Sequence, residues 1–429
     1  MRTLFLLLSV CGSWICGFLA LPGCGQDSSN ASTIQVRLMS DLTGPLKDIG
    51  QPFHAGRIDH LRDLNDNGGI RGRLIEYEEA DTEYSPTVAL SLYLNWKQAL
   101  SWSEVLTVFG FGTNEVRVLS ERVTSAKIPL FSASCAGSLA SPVPIDRTIP
   151  LDDGTSKAID NPGQPYNYFV TTDYSSSARA GLDFIASQGG RAITFATCTK
   201  SEYCTEPVAA ARPYAIGKHS MTVNDDLVVE TTDSVETVNQ KVADYLASHP
   251  NPGWIWVAVN EASAARIIQA MSDVNVKFMT NVFSMSESLD EAALRSARGK
   301  VHGIVCARPY GDTFNSEIMA DLVTVHDRYR PKDEFANVYY VMGYATIAVW
   351  SIAIEWVLAG GDELSRENLQ RALESMTLVK TGSLIKPITY SPVDHRPSMA
   401  ADIFQIDTEG KFKIMDTITV ERRDTWLGW

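Results

Sequence analysis

Cysteine is sparse in this chain and nowhere clustered. Seven occur in 429 residues, and no two stand in C-x-x-C spacing. The seven histidines are dispersed, so no zinc or other metal site is expected. No G-x-S-x-G elbow, H-E-x-x-H helix or phosphate-cradling glycine loop occurs, and neither a reaction nor a cofactor is expected. Basic runs are missing as well. The formal net charge is -14, whereas a nucleic-acid partner needs a basic face. The acidity is read as serving solubility. Low-complexity tracts are absent, and 45% hydrophobic with 21% charged residues is a globular composition.

The N-terminus stands apart. Met1-Arg2-Thr3 is a short cationic start, and Leu4 to Leu21 is almost wholly apolar. Leu21-Pro22-Gly23-Cys24 follows, and residues 1–23 read as a signal peptide. The pattern resembles a bacterial lipobox, which implies that Cys24 carries lipid. Pro22 departs from that consensus, and a plain secretory signal cut near the same place stays open. Residues 24–32 are small and polar and read as a flexible tether. Cys135, Cys198, Cys204 and Cys306 would then meet an oxidising compartment. Five residues separate Cys198 from Cys204 at the end of a strand, which predicts a disulfide. Free thiols, or pairing with Cys135 or Cys306, stay open.

From Thr33 the chain alternates strand-like and helix-like segments. Ile34–Met39 alternates as a strand, and Phe53–Asn65 carries apolar residues at helical spacing. Ser85-Pro86 opens a helix. Val105–Phe109 and Ile128–Phe131 are short buried strands. A Pro-, Asp- and Gly-rich loop covers Ser141–Pro165. Strands at Ala192–Ala196, Leu227–Glu230, Trp254–Val259 and Phe278–Phe283 follow, then helices at Tyr339–Leu358 and Arg366–Met376, then strands near Ile388, Ile403 and Phe412. Such alternation predicts an α/β fold of two doubly wound lobes, with ligand bound beyond the carboxyl ends of the strands.

Three segments carry a family resemblance. They are Asp41-Leu-Thr-Gly-Pro-Leu-Lys-Asp-Ile-Gly50, Asn65-Asp-Asn-Gly-Gly-Ile-Arg-Gly72 and Asp81-Thr-Glu-Tyr-Ser-Pro86. In this order and spacing they resemble type I periplasmic binding proteins of ABC importers, in the branch for branched-chain amino acids, amides and urea. Val341-Met-Gly-Tyr-Ala345 also fits, and the likeness weakens after about Pro387. The resemblance implies a monomeric, non-catalytic clamp that binds a small molecule and docks on ABC permease subunits. A sensor feeding a membrane receptor is the alternative. Lobe 1 would be 33–170 plus 308–387, and lobe 2 would be 171–307 plus 388–429. Hinges would lie near Val170-Thr171, Ala307-Arg308 and Pro387.

The resemblance also implies contacts. Amides and hydroxyls of Phe111-Gly112-Thr113 and Ser134-Cys135-Ala136, each loop preceding a helix, would grip a carboxylate or amide. Helix capping by Thr113, Asn114 and Ser134 is the other reading. Ile49 would line one wall, Tyr203 would close over the ligand, and Asn260 would contact it. Val282-Phe283-Ser284 stands where amino-acid binders place a glutamate, so an ordinary α-amino acid becomes a doubtful ligand. Asp173 could serve an amine instead. Glu261 and Glu287 read as solvated. Phe109, Phe111 and Phe283 read either as apolar pocket or as strand core.

Overall fold

The computed structural model describes residues 33–274, 281–285, 303–308, 310, 316–333, 338–382, 384–408 and 411–429. The expected signal peptide, tether, Cys24 and Glu287 lie outside the described residues. Two parallel sheets organise the rest into two lobes.

The first sheet is built from β1 (Ile34–Ser40), β2 (Ile75–Asp81), β3 (Val105–Phe109), β4 (Leu130–Phe131) and, after a hairpin of β5 (Ile145–Pro150) and β6 (Ser156–Asn161), β7 (Asn167–Tyr168). Its order is β2-β1-β3-β4-β7, every neighbour parallel. β3 is buried along its whole length, as a parallel strand covered on both faces must be. The covering helices are α1 (Lys47–Asp66), α2 (Pro86–Gln98) and α3 (Thr113–Ala126). Ser85 caps α2 through Val88 N–H, with Pro86 in the first turn. α1 begins at Lys47, ahead of Phe53 where its apolar periodicity starts, and it runs through Pro52.

The second sheet follows α4 (Tyr174–Ser187). It comprises β8 (Ala192–Thr197), β9 (Thr222–Val223), β10 (Leu227–Val228), β11 (Trp254–Ala258), β12 (Val282–Met285), β13 (Val305–Arg308), β14 (Ala400–Ile406) and β15 (Phe412–Thr419). The order is β10-β8-β11-β12-β13-β14-β15, with β9 on β8. Among the described strands of this sheet only β14 is reversed, antiparallel to both its neighbours β13 and β15. α5 (Glu202–His219), α6 (Val235–Ser248) and α7 (Glu261–Val274) pack here.

The chain returns to the first sheet after β13. Trp350, on the long helix Val338–Ala359, donates its indole N–H to Thr107 Oγ1 of β3 at 2.9 Å. Arg366, which starts the helix Arg366–Glu374, donates to the carbonyls of Val105, Ala126 and Trp102. By length and composition the long helix could cross a membrane. Its apolar surface is instead spent on packing against α1 and the sheet. Tyr310 and Ile385 form a bridge where two connecting segments pass between the sheets, and Thr172 Oγ1 donates to Ala400 O at a third.

Three expectations change. Near Ile388 there is only an isolated bridge to Val379, not a strand. The loop Ser141–Pro165 contains the antiparallel hairpin β5–β6, whose mostly exposed faces leave no apolar alternation to read. The strand expected at Phe278–Phe283 is Val282–Met285, and residues 275–280 lie outside the described residues.

Candidate ligand-binding cleft

A small cavity of about 50 Å³ opens where the carboxyl ends of β3 and β4 face α4, α5 and the start of α7. The first lobe supplies Leu46, Ile49, Tyr84, Phe111, Gly112, Thr113, Ala133 and Ser134, and the long helix adds Tyr339 and Met342. Across from them stand Tyr174, Tyr203 and Asn260. None of these thirteen lining residues is charged. The wall is therefore apolar, with a few neutral polar groups set into it, the usual make-up of a small-molecule site.

The polar groups are held by local structure. Thr113 opens α3 and Ser134 follows β4, and their hydroxyl oxygens lie 2.9 Å apart. Asn260 Oδ1 accepts from Ser263 N–H at 3.2 Å in the first turn of α7, which leaves its amide N–H₂ as the donor. The aromatic walls pack edge-on. The ring centroids of Tyr84 and Phe111 are 6.2 Å apart, and those of Tyr174 and Tyr203 are 5.3 Å apart. Gly112 lets Tyr84 approach, because a Cβ there would come within 2.1 Å of the ring. Burial pushes the Tyr84 phenol up to about 12, so it stays neutral and able to donate.

Three of the amides expected to grip a ligand are committed within the protein. Gly112 N–H donates to Glu115 Oε2 at 2.9 Å, Ser134 N–H to Phe111 O at 3.1 Å, and Ala136 N–H to Ser134 Oγ at 3.4 Å. The Glu115 carboxyl is buried behind the start of α3, and burial pushes it up to about 7. Ser134-Cys135-Ala136 leads only into the three-residue turn Gly137–Leu139, not into an α-helix. The hydroxyls of Thr113 and Ser134 remain on the cavity wall of the first lobe.

Ile49, Phe111, Gly112, Thr113, Ser134, Tyr203 and Asn260 thus come together on one cavity. Five other residues named from the sequence do not line it. Cys135 is buried, with its Sγ 3.1 Å from Thr171 Oγ1. Ala136 is fully buried beside it. Phe283 lies in mid-sheet on β12, against Gly181 and edge-on to Trp256, so it is core. Phe109 is core as well, between Phe131 and Trp350. Asp173 caps α4: its Oδ1 accepts from Ser176 N–H at 2.9 Å and Ser175 Oγ at 2.5 Å. Cys198 and Cys204 are joined as a disulfide, which closes the loop that carries Tyr203. Among the described residues no three His, Cys, Asp or Glu side chains gather as a metal site.

Sequence reasoning passed over Leu46, Tyr84, Ala133, Tyr174, Tyr339 and Met342. Tyr84 lies inside the Asp81–Pro86 segment. Tyr339 and Met342 stand three apart on a helix, a spacing that puts both on one face.

The periplasmic binding protein family model matches residues 33–411. Solved structures share the architecture. An ABC transporter substrate-binding protein from Aeropyrum pernix is 22% identical with a TM-score of 0.78, over 92% of this chain and 98% of that one. A fatty acid ABC transporter substrate-binding protein from Thermomonospora curvata is 20% identical with a TM-score of 0.75, over 92% and 94%. A branched-chain amino acid ABC transporter protein from Thermus thermophilus, with bound valine, is 17% identical with a TM-score of 0.77, over 90% and 97%. A search of curated proteins finds no significant match. With a family match that spans both sheets and a cavity between the lobes, this chain belongs to the periplasmic binding protein family.

Proposed function

We propose that the chain captures a small, largely apolar acid or amide and delivers it to the permease of an ABC importer, with no catalytic step. The observation that carries the ligand class is the cavity wall, in which none of the described lining residues is charged. A buried ammonium without a carboxylate partner is costly. A hydrocarbon body fits Ile49, Phe111, Tyr203 and Met342, and an amide or carboxyl head can meet the hydroxyls of Thr113 and Ser134 and the Asn260 amide. The fatty acid and valine binders among the structural neighbours bracket this choice. Asp173 is the acid an amine would need; its Oδ1 caps α4 and the residue does not line the cavity, which weighs against that reading.

In this reading the working protein is a monomer, tethered outside the cytoplasm by lipid on Cys24. Binding draws the lobes together, because the ligand favours the state in which it touches both.

The test is a thermal-shift panel of 4-methylpentanoic acid, 4-methylpentanamide and leucine. Stabilisation by the acid or the amide above leucine is expected. Stabilisation by leucine alone overturns the ligand class.

A further inference from the structure

One carboxyl outside the cavity spans the cleft. Glu206 sits one turn beyond Tyr203 on α5, a helix of the second sheet. Its Oε1 accepts from Gly137 N–H and its Oε2 from Ser138 Oγ, both at 2.6 Å. Gly137 and Ser138 belong to the turn that follows β4 of the first sheet. Only 7% of Glu206 is exposed. The space there is tight, since a Cβ on Gly137 would come within 2.9 Å of Asp173 Oδ1, and one on Gly428 within 2.9 Å of Glu206 Oε1. The same helix makes a second, outer link: Glu202 Oε2 accepts from Arg117 of α3 at 2.6 Å. That pair is partly exposed on both sides and contributes little by itself.

We propose that Glu206 is the residue that sets the affinity of lobe closure, holding the turn at Gly137–Ser138 in its protonated form and releasing it when it ionises. The inference builds on the reading that the lobes close on a ligand. Closure takes this carboxyl out of water, and opening returns it. A neutral acid loses little on that transfer, whereas a carboxylate loses its hydration. Neutral Glu206 can accept from Gly137 N–H while it donates to or accepts from Ser138 Oγ. Burial accordingly pushes the Glu206 carboxyl, in contact with both lobes, up to about 7, from an ordinary 4.5.

The surrounding charges do not cancel this. The hydrogen bonds from Ser138 and Gly137 and the charge of Arg117 on α3 favour the ion, Asp173 at the start of α4 opposes it, and burial outweighs them. Glu202 adds negative charge from the same helix, and Lys157 and Asp160 of the β5–β6 hairpin face the same side. A polar cavity of about 390 Å³, lined by Arg117, Lys157, Glu202 and Glu206, gives protons access.

The sign follows from the raised value. Closure is undisturbed by Glu206 below about 4.5 and is weakened as pH rises through about 7. The closed-to-open ratio then falls by roughly tenfold or more from pH 5 to pH 8.

The experiment needs no ligand. The intact chain carries spin labels at Lys97→Cys on α2 and Asn239→Cys on α6, both exposed positions on opposite lobes. Cys135 and Cys306 are buried and resist labelling. Interlobe distance distributions are recorded from pH 5 to pH 8. The closed population should shrink with rising pH in the parent chain and stay high in Glu206→Gln, which keeps a carbonyl acceptor for Gly137 and cannot ionise. Glu202→Gln should keep the parent slope. A flat parent profile, an open distribution at every pH, a Glu206→Gln profile that follows the parent, or a slope lost in Glu202→Gln each overturns the proposal. Because no ligand is added, failure here is separate from failure of the ligand-class reading.

Discussion

Gly56 on α1 and Gly343 on the long helix Val338–Ala359 meet backbone to backbone. A methyl on Gly56 would lie 2.1 Å from Tyr340 O, and one on Gly343 would lie 2.0 Å from Phe53 O. The two helices can touch this closely only because neither residue carries a side chain. The same helix pair builds one wall of the cavity, through Leu46 and Ile49 at the start of α1 and Tyr339 and Met342 on the partner.

Gly56→Ala or Gly343→Ala should therefore cost about 3 kcal/mol of stability, the upper part of the range for overpacking. Ligand affinity should fall with it, since prying the helices apart displaces both sets of wall residues. Chemical denaturation and calorimetric titration measure the two effects. Unchanged stability in both variants would show that the helices slide apart freely.

What the sequence made legible was local. The alternation of strands and helices and the Ser85-Pro86 helix start depend on neighbours within a few residues. The cavity depends on partners far apart in the chain. Tyr339 and Met342 join Ile49 through the packing of α1 on the long helix, which no spacing announces. Strand periodicity told that Phe283 was buried but not which buried surface it met. Its register beside Trp256, and the gap left by Gly181, decided for the core. The loss of the Gly112 amide was readable: Gly112 and Glu115 stand three apart, the spacing of a capping box.

The disulfide between Cys198 and Cys204 should stabilise the chain by about 2 kcal/mol, the entropic worth of so short a loop. Its larger effect should be on binding, because Tyr203 is the residue just before Cys204. Peptide mapping without reduction should recover the linked pair. Reduction, or paired Cys198→Ser and Cys204→Ser substitutions, should weaken ligand binding more than it lowers the melting temperature. Free thiols at both positions in the unreduced protein would contradict this.

Cys24→Ala should move the protein from the membrane pellet to the soluble fraction, since acyl chains supply membrane affinity. Fractionation followed by immunoblotting reads this directly. A variant that stays in the pellet would refute the lipid anchor.

Closure should be visible in solution. Small-angle scattering should show a smaller radius of gyration once a stabilising ligand from the panel is present at saturation, because both lobes line the cavity. Scattering that does not change on saturation would count against the clamp.

The last prediction separates two roles for Asp173. As the cap of α4, its carboxyl serves Ser176 N–H and Ser175 Oγ, and its charge favours the buried Arg179 guanidinium. Loss of a cap costs about 1 kcal/mol, and leaving Arg179 without that charge adds to it. Asp173→Ala should therefore lower the melting temperature, and Asp173→Asn, which can still accept from Ser176, should recover part of the loss. In neither variant should the order of ligands in the panel change, because the side chain does not line the cavity. An ammonium partner behaves differently: leucine would stabilise the parent strongly, and the effect would vanish in both Asp173→Ala and Asp173→Asn while the acid and the amide kept theirs. That pattern would make Asp173 the recognition residue and leucine-like amino acids the ligand.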